Sequence, residues 1–257
     1  MLVTNTVKVL LLGEFMPRPV QNKVDNKGKN VVVANSVTRA AQGLTLVEKR
    51  ILFCGIAKLG GVNQEVKLTA EEYANTFDTD IKNAYGQLKN GADSFRKKYL
   101  KFQVKDGKAV GTAVVNWLQG YLYFDNEGYV RFRFSEYITP FLFELEREFT
   151  KYQLKQTSAL RSIHSWRLLE LFEQHNEADK DGMRWLKIGI DEFHHAMETP
   201  DSYKTTFGLL RKKVIEPAVK ELAEKDRWVI EWTPIKTGRK VTMLEFKFKR
   251  ESQQTLF

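Results

Sequence analysis

Tyr203-Lys-Thr-Thr-Phe-Gly-Leu-Leu-Arg-Lys-Lys-Val-Ile-Glu-Pro-Ala-Val-Lys-Glu-Leu-Ala-Glu-Lys225 decides how the chain is read. Phe207, Leu210, Val214, Ala218 and Leu222 recur at helical spacing and predict one inward stripe. The opposite side carries Thr205, Gly208, Lys212 and Lys213, with Arg211 at its margin. Small residues near a helix N-terminus allow close approach to a duplex, and long cations beside them reach phosphates and guanine edges in a major groove. Pro217 removes a donor from the helix interior, which costs about 3 kcal/mol. It predicts a kink between a groove-facing N-terminal half and a core-packed C-terminal half. Trp228-Val-Ile-Glu-Trp, the basic turn Thr233-Pro-Ile-Lys-Thr-Gly-Arg-Lys240 and the alternating Val241-Thr-Met-Leu-Glu-Phe-Lys-Phe follow, which is a strand, a turn and a second strand. A helix followed by a basic-tipped hairpin is a winged-helix layout. The same pattern also fits a solvated amphipathic helix packed beside a hairpin.

Charge favours the first reading. The chain of 257 residues carries a net charge of +9, and residues 202–250 hold 13 Lys and Arg against 6 Asp and Glu, so +7 of the excess is concentrated there. Charge gathered on one segment can steer a polyanion, which a diffuse basic average does less well. The single cysteine, Cys54, excludes an intrachain disulfide and a thiolate metal cluster and fits a reducing, cytoplasmic location. The apolar run near Met1 is too short to span a membrane and lacks a basic flank, so no membrane association is expected.

Upstream, residues 17–30 are polar and aperiodic and predict a mobile arm. Thr45-Leu-Val-Glu48 and Thr69-Ala-Glu-Glu72 are capping boxes that open helices to about residues 59 and 77. Asp80 caps a third helix with the stripe Ile81, Tyr85, Leu88, Ala92 and Phe95. Strands are expected over 99–104, 113–124 and 129–135, a linking helix over 138–148, a short strand over 148–155, and helices over 158–174 and 190–198. Leu68–Phe77 lines up with Ile188–Met197, and each precedes a longer amphipathic helix with a basic outer side. The order of elements therefore repeats. The fold class is α+β, two tandem winged-helix domains joined by a linking helix. The boundaries are an arm over 1–30, an N-terminal domain over 31–148, a C-terminal DNA-reading domain over 149–250 and a tail over 251–257.

Signatures of catalysis are missing. No Gly-Lys-Ser/Thr phosphate loop or His-Glu-x-x-His occurs, and the adjacent His194 and His195 point about 100° apart on a helix. Asp191-Glu192 and Glu71-Glu72 suit the positive ends of helix dipoles. No enzyme activity, metal or cofactor is expected.

Val31-Val-Val-Ala-Asn-Ser-Val-Thr-Arg-Ala, Leu44-Thr-Leu-Val-Glu-Lys-Arg-Ile-Leu, Leu210-Arg-Lys-Lys-Val-Ile-Glu-Pro-Ala-Val-Lys-Glu-Leu and Lys236-Thr-Gly-Arg-Lys-Val resemble the bacterial plasmid replication initiators of the two-winged-helix Rep class. The resemblance spans roughly residues 31–250. It implies binding to directly repeated origin sites (iterons) as a monomer, opening of AT-rich DNA, and recruitment of the host initiator ATPase and replicative helicase. It further implies a homodimer, joined through the N-terminal domain, that represses its own gene at an inverted repeat. The implied base-reading residues are Thr205, Thr206, Arg211, Lys212 and Lys213, with Lys236, Arg239 and Lys240 as the wing and Lys82, Asn83, Gln87 and Lys89 as the N-terminal counterpart. The stretch before Val31 departs from the family's start. Gln253-Gln-Thr-Leu-Phe257 resembles the peptide by which replication proteins dock on the sliding clamp, with Gln253, Leu256 and Phe257 as contacts; the alternative is that it folds back on its own domain. A winged-helix transcriptional repressor is the rival reading, and a nicking or priming enzyme is a third.

Overall fold

The computed structural model describes residues 10–11, 30–34, 43–60, 64–106, 109–142, 149–175 and 178–251. Of the predicted arm over 1–30, only Leu10–Leu11, a short strand paired parallel with residues 104–105, and Asn30 are described. The rest of the arm and the clamp-docking residues Gln253, Leu256 and Phe257 lie outside the described residues. The chain divides into two compact units, Met1–Leu154 and Lys155–Phe257.

In chain order the first unit contains β1 (Leu10–Leu11), β2 (Asn30–Ala34), α1 (Leu46–Lys58), β3 (Glu65–Thr69), α2 (Ala70–Phe77), α3 (Ile81–Phe95), β4 (Tyr99–Asp106), β5 (Ala109–Asn116), β6 (Leu118–Phe124), β7 (Tyr129–Phe134) and β8 (Phe149–Gln153). Both capping boxes form. Thr45 N–H donates to Glu48 Oε2 at 2.7 Å and Glu48 N–H returns to Thr45 Oγ1 at 3.3 Å. Thr69 and Glu72 repeat the exchange at 2.9 and 3.0 Å. Asp80 Oδ1 caps α3 by accepting from Lys82 N–H at 2.9 Å. Residues 51–57 of α1 are all buried, Cys54 among them. Burial pushes the Cys54 thiol up to about 12, so it stays protonated and unreactive.

The second unit contains α4 (Leu154–Ser158) at its seam, then α5 (Ile163–Glu173), β9 (Arg184–Gly189), α6 (Ile190–Met197), α7 (Asp201–Lys204), α8 (Phe207–Leu210), a π-turn (Arg211–Ile215), α9 (Glu216–Asp226), β10 (Trp228–Thr237) and β11 (Lys240–Arg250). The repeat read from the sequence is a repeat of topology. The first unit has a three-stranded sheet in the order β3-β7-β6 and the second has one in the order β9-β11-β10. Leu68 pairs with Val130 and Val66 with Phe132, as Ile188 pairs with Leu244 and Leu186 with Phe246. All eight side chains are buried, so each sheet turns the same positions to its helices. In the second unit Phe172 of α5 fills the middle of that core, stacked at 4.0 Å on Phe248 and 5.6 Å from both Trp228 and Phe246.

Four expectations are corrected. Strands β3 and β9 are absent from the sequence reading; each has only two inward apolar residues, too few for a period-two signal to stand out. The single strand expected over 113–124 is two strands, separated at Trp117. There the chain changes partners: Trp117 N–H donates to the Lys98 carbonyl at 3.2 Å, and its own carbonyl accepts from Ser135 N–H at 3.0 Å. The β4–β5 hairpin thus peels away from the winged-helix sheet and has no counterpart among the described residues of the second unit. The described part of the predicted linking helix is one 3-10 turn, Thr139–Phe141, and residues 143–148 lie outside the described set. Finally, Ile81 and Tyr85 are exposed, at 40% and 44%, and the inward face of α3 is Ala84, Leu88, Ala92 and Phe95. The Tyr85 ring instead covers the β6–β7 turn, where a methyl on Gly128 would collide with it. Gly91 makes the α3–α1 contact close, since a Cβ there would meet Val47 and Ile51 at 2.6 and 2.7 Å.

Candidate nucleic-acid interface

Residues 207–226 run as one continuous helical segment through α8, the π-turn and α9. Its inward side is Leu210, Val214, Ile215, Ala218 and Leu222, all buried, with Phe207 half-buried. The helix starts at Phe207, the first residue of the predicted stripe and four residues into the quoted stretch. Thr205 and Thr206 therefore stand before it, exposed, in the joint from α7, where Thr205 Oγ1 donates to the Ser202 carbonyl at 3.1 Å. Where Pro217 predicts a kink, the helix carries a π-turn just before it: Glu216 N–H donates to the Arg211 carbonyl, five residues back. Such single-turn widenings recur at functional sites.

Gly208, Leu209, Arg211, Lys212, Lys213 and Glu216 face outward. A Cβ added at Gly208 would meet nothing within 4 Å, so the helix presents bare backbone there. Replacing Gly208 with alanine should stabilise the free protein by less than the roughly 0.5–1 kcal/mol of a helix interior, since Gly208 is the second residue of the helix. The same methyl should weaken DNA binding by standing between helix and duplex. Thermal melting and a binding titration of Gly208→Ala, moving in opposite senses, check both halves.

Trp232 joins this helix to the hairpin. Its ring lies 6.5 Å from that of Phe207 and 6.4 Å from that of Phe246, and the Arg211 guanidinium sits 5.9 Å over it. From Trp232 the hairpin runs out six residues, about 20 Å of strand, to the turn at Gly238, whose φ of 62° suits glycine. A register shift at Ile235 and Lys236 bends the strands just below the tip. Lys236, Arg239 and Lys240 are all exposed there. Six of the predicted cations thus stand in two groups on one unit, three on the helix face and three on the tip.

In the first unit Lys82 and Asn83 are exposed on the first turn of α3. Gln87 is turned partly inward, its Oε1 accepting from the Tyr73 hydroxyl at 3.0 Å. Lys89 pairs with Asp125, which holds its ammonium pKa up, and lies 5.2 Å over the Tyr123 ring. Two of these four side chains are therefore engaged within the protein. His194 and His195 diverge as expected: His194 is buried, 2.5 Å from Thr199 Oγ1, and His195 is exposed.

Sequence reasoning missed Leu209, Glu216 and Trp232. Leu209 is 38% exposed on the outward face, an apolar residue where the helical pattern calls for a polar one. Glu216 forms an ion pair with Arg211, Nε to Oε1 at 2.6 Å, across a spacing that an α-helical pattern does not connect.

The description "Initiator Replication protein, WH1" matches residues 30–173 of the chain, and "Initiator Rep protein, WH2" matches residues 189–248. The chain belongs to the initiator replication protein family. Both winged-helix names fall on the repeated topology, although the first match runs past the seam between the units, to residue 173 at the end of α5. An uncharacterized 27.6 kDa protein of Escherichia coli is 23% identical to it over 220 residues, covering 79% of this chain and 89% of the relative. Among solved structures, the Pi initiator protein in complex with iteron DNA superposes with a TM-score of 0.74 at 21% identity, over 88% of this chain and 98% of that one. At that identity the likeness is one of fold. No helix among the described residues of the initiator is long and apolar enough to cross a membrane.

Proposed function

We propose that this initiator starts plasmid replication by binding repeated duplex sites at the origin, acting by DNA binding without catalysis of its own. The observation that carries this is the outward face of 207–226, where Gly208 leaves bare backbone beside Arg211, Lys212 and Lys213, with the cationic hairpin tip on the same unit. The helix enters a major groove, Arg211 and Lys212 meet base edges and nearby phosphates, and Leu209 supplies an apolar contact of the kind that fits a thymine methyl. Lys236, Arg239 and Lys240 hold the flanking backbone. Thr205, Thr206, Lys213 and the first unit's Lys82 and Asn83 add phosphate contacts that set register. Family membership and a structural neighbour crystallised with iteron DNA support the reading. We extend it to binding as a monomer on repeats, binding as a homodimer on an inverted repeat that silences its own gene, recruitment of the host initiator ATPase and helicase, and a cytoplasmic location.

The test is a footprint of the purified protein on the DNA of its own replicon. Protection of evenly spaced direct repeats supports initiation at an origin. Protection of one inverted repeat alone supports a repressor instead, and no sequence-dependent protection removes the reading.

A further inference from the structure

Arg211 and Glu216 are five residues apart. On a regular α-helix that separation places side chains about 140° from each other, too far round to pair. The π-turn changes this. Glu216 N–H bonds the Arg211 carbonyl, and the extra residue in the turn brings both side chains to one face, with Nε 2.6 Å from Oε1. Pro217 gives the widened turn a cause: it has no hydrogen to donate, and its ring crowds the carbonyl four residues back. The α-helical ladder is interrupted at that point in any case. The same guanidinium lies 5.9 Å over the Trp232 ring. One long, exposed side chain is thus held by both a carboxylate and an indole.

We infer that Glu216 is a positioning residue for DNA readout, which aims the Arg211 guanidinium at one base pair and lowers general affinity in doing so. This rests on the proposed placement of 207–226 in a major groove. The ion pair runs through Nε and leaves the two terminal nitrogens, a fork suited to O6 and N7 of guanine. An exposed pair contributes little to stability, so its consequence lies in where the side chain points. The Glu216 carboxylate also repels the phosphates of any duplex. A repulsion that every duplex meets, offset only where the aimed guanidinium finds its base, lowers affinity throughout and leaves the preference at that base pair.

The full-length protein and its variants are taken through selection from a randomised duplex library, and the enriched pools are compared position by position. Arg211→Ala erases the preference at one base pair and so locates the contact. Glu216→Ala relaxes that same base pair by at least about fivefold, leaves the other positions unchanged, and binds random-sequence duplex as tightly as the wild type or more tightly. Glu216→Gln, which still offers an oxygen to Nε, keeps part of the preference. An unchanged preference at that base pair in Glu216→Ala, or equal flattening at every position, overturns the inference. If Arg211→Ala alters no position while Lys212→Ala does, the inference falls and the groove placement stands. If the wild type enriches no sequence, both fall.

Discussion

Alanine at Phe172 unfolds the C-terminal unit at temperatures where the wild type is folded. Phe172 is fully buried and touches three of the aromatic rings that close the core: Trp228 at the start of β10, and Phe246 and Phe248 on β11. Truncation removes the transfer energy of a whole ring and leaves a cavity that the stiff neighbouring aromatics fill poorly. The expected cost is about 3–5 kcal/mol, a large part of the roughly 5–15 kcal/mol that holds a domain together. Because β10 and β11 carry the basic tip, DNA binding should be lost with the fold. Urea titration of Phe172→Ala followed by tryptophan fluorescence measures this, since Trp228 reports on the same cluster. A midpoint within error of the wild type would show that the core is organised around other residues. Phe172→Leu, which keeps most of the volume, should cost visibly less.

Lys212→Ala is expected to produce the largest effect on binding that leaves the fold intact. Lys212 is exposed on the outward face, so the fold has no need of it. If it meets a base, binding to the cognate site falls by about 1–3 kcal/mol and preference at that position relaxes. If it meets a phosphate, all sequences weaken together, and the salt dependence of log K becomes shallower by about 1. Removing Lys213 as well should make it shallower by up to about 2 if both neutralise phosphates. Titrations at several salt concentrations separate the two cases. A variant that changes neither affinity nor salt slope would show that this helix does not face the duplex.

Much of the fold was legible because its signals are local. Thr45 with Glu48 and Thr69 with Glu72 satisfy amides three residues away, so the helix starts appear in the sequence whatever surrounds them. Val130, Phe132 and Phe134 alternate because one face of β7 is buried. The likeness of 68–77 to 188–197 reflects a shared strand-to-helix step. The phase of α3 was misread: Ile81 and Tyr85 have helical spacing and apolar side chains, yet the inward role goes to small residues. Ala84 and Gly91 are chosen by how near α3 must come to its neighbours, which no periodicity records. Trp117 looks like one more strand residue until its backbone is seen bonded to Lys98 on one side and Ser135 on the other.

From sequence alone come the helix starts, the repeated module, the concentration of positive charge near residue 211 and the basic hairpin tip, all carried by neighbours within a few residues. Only the tertiary structure decides that β3 and β9 exist, since each is held by a strand distant in the chain. The same holds for the pairing of Arg211 with Glu216 beside Trp232, because a π-turn alters which residues share a face and the ring, on β10, lies against the guanidinium.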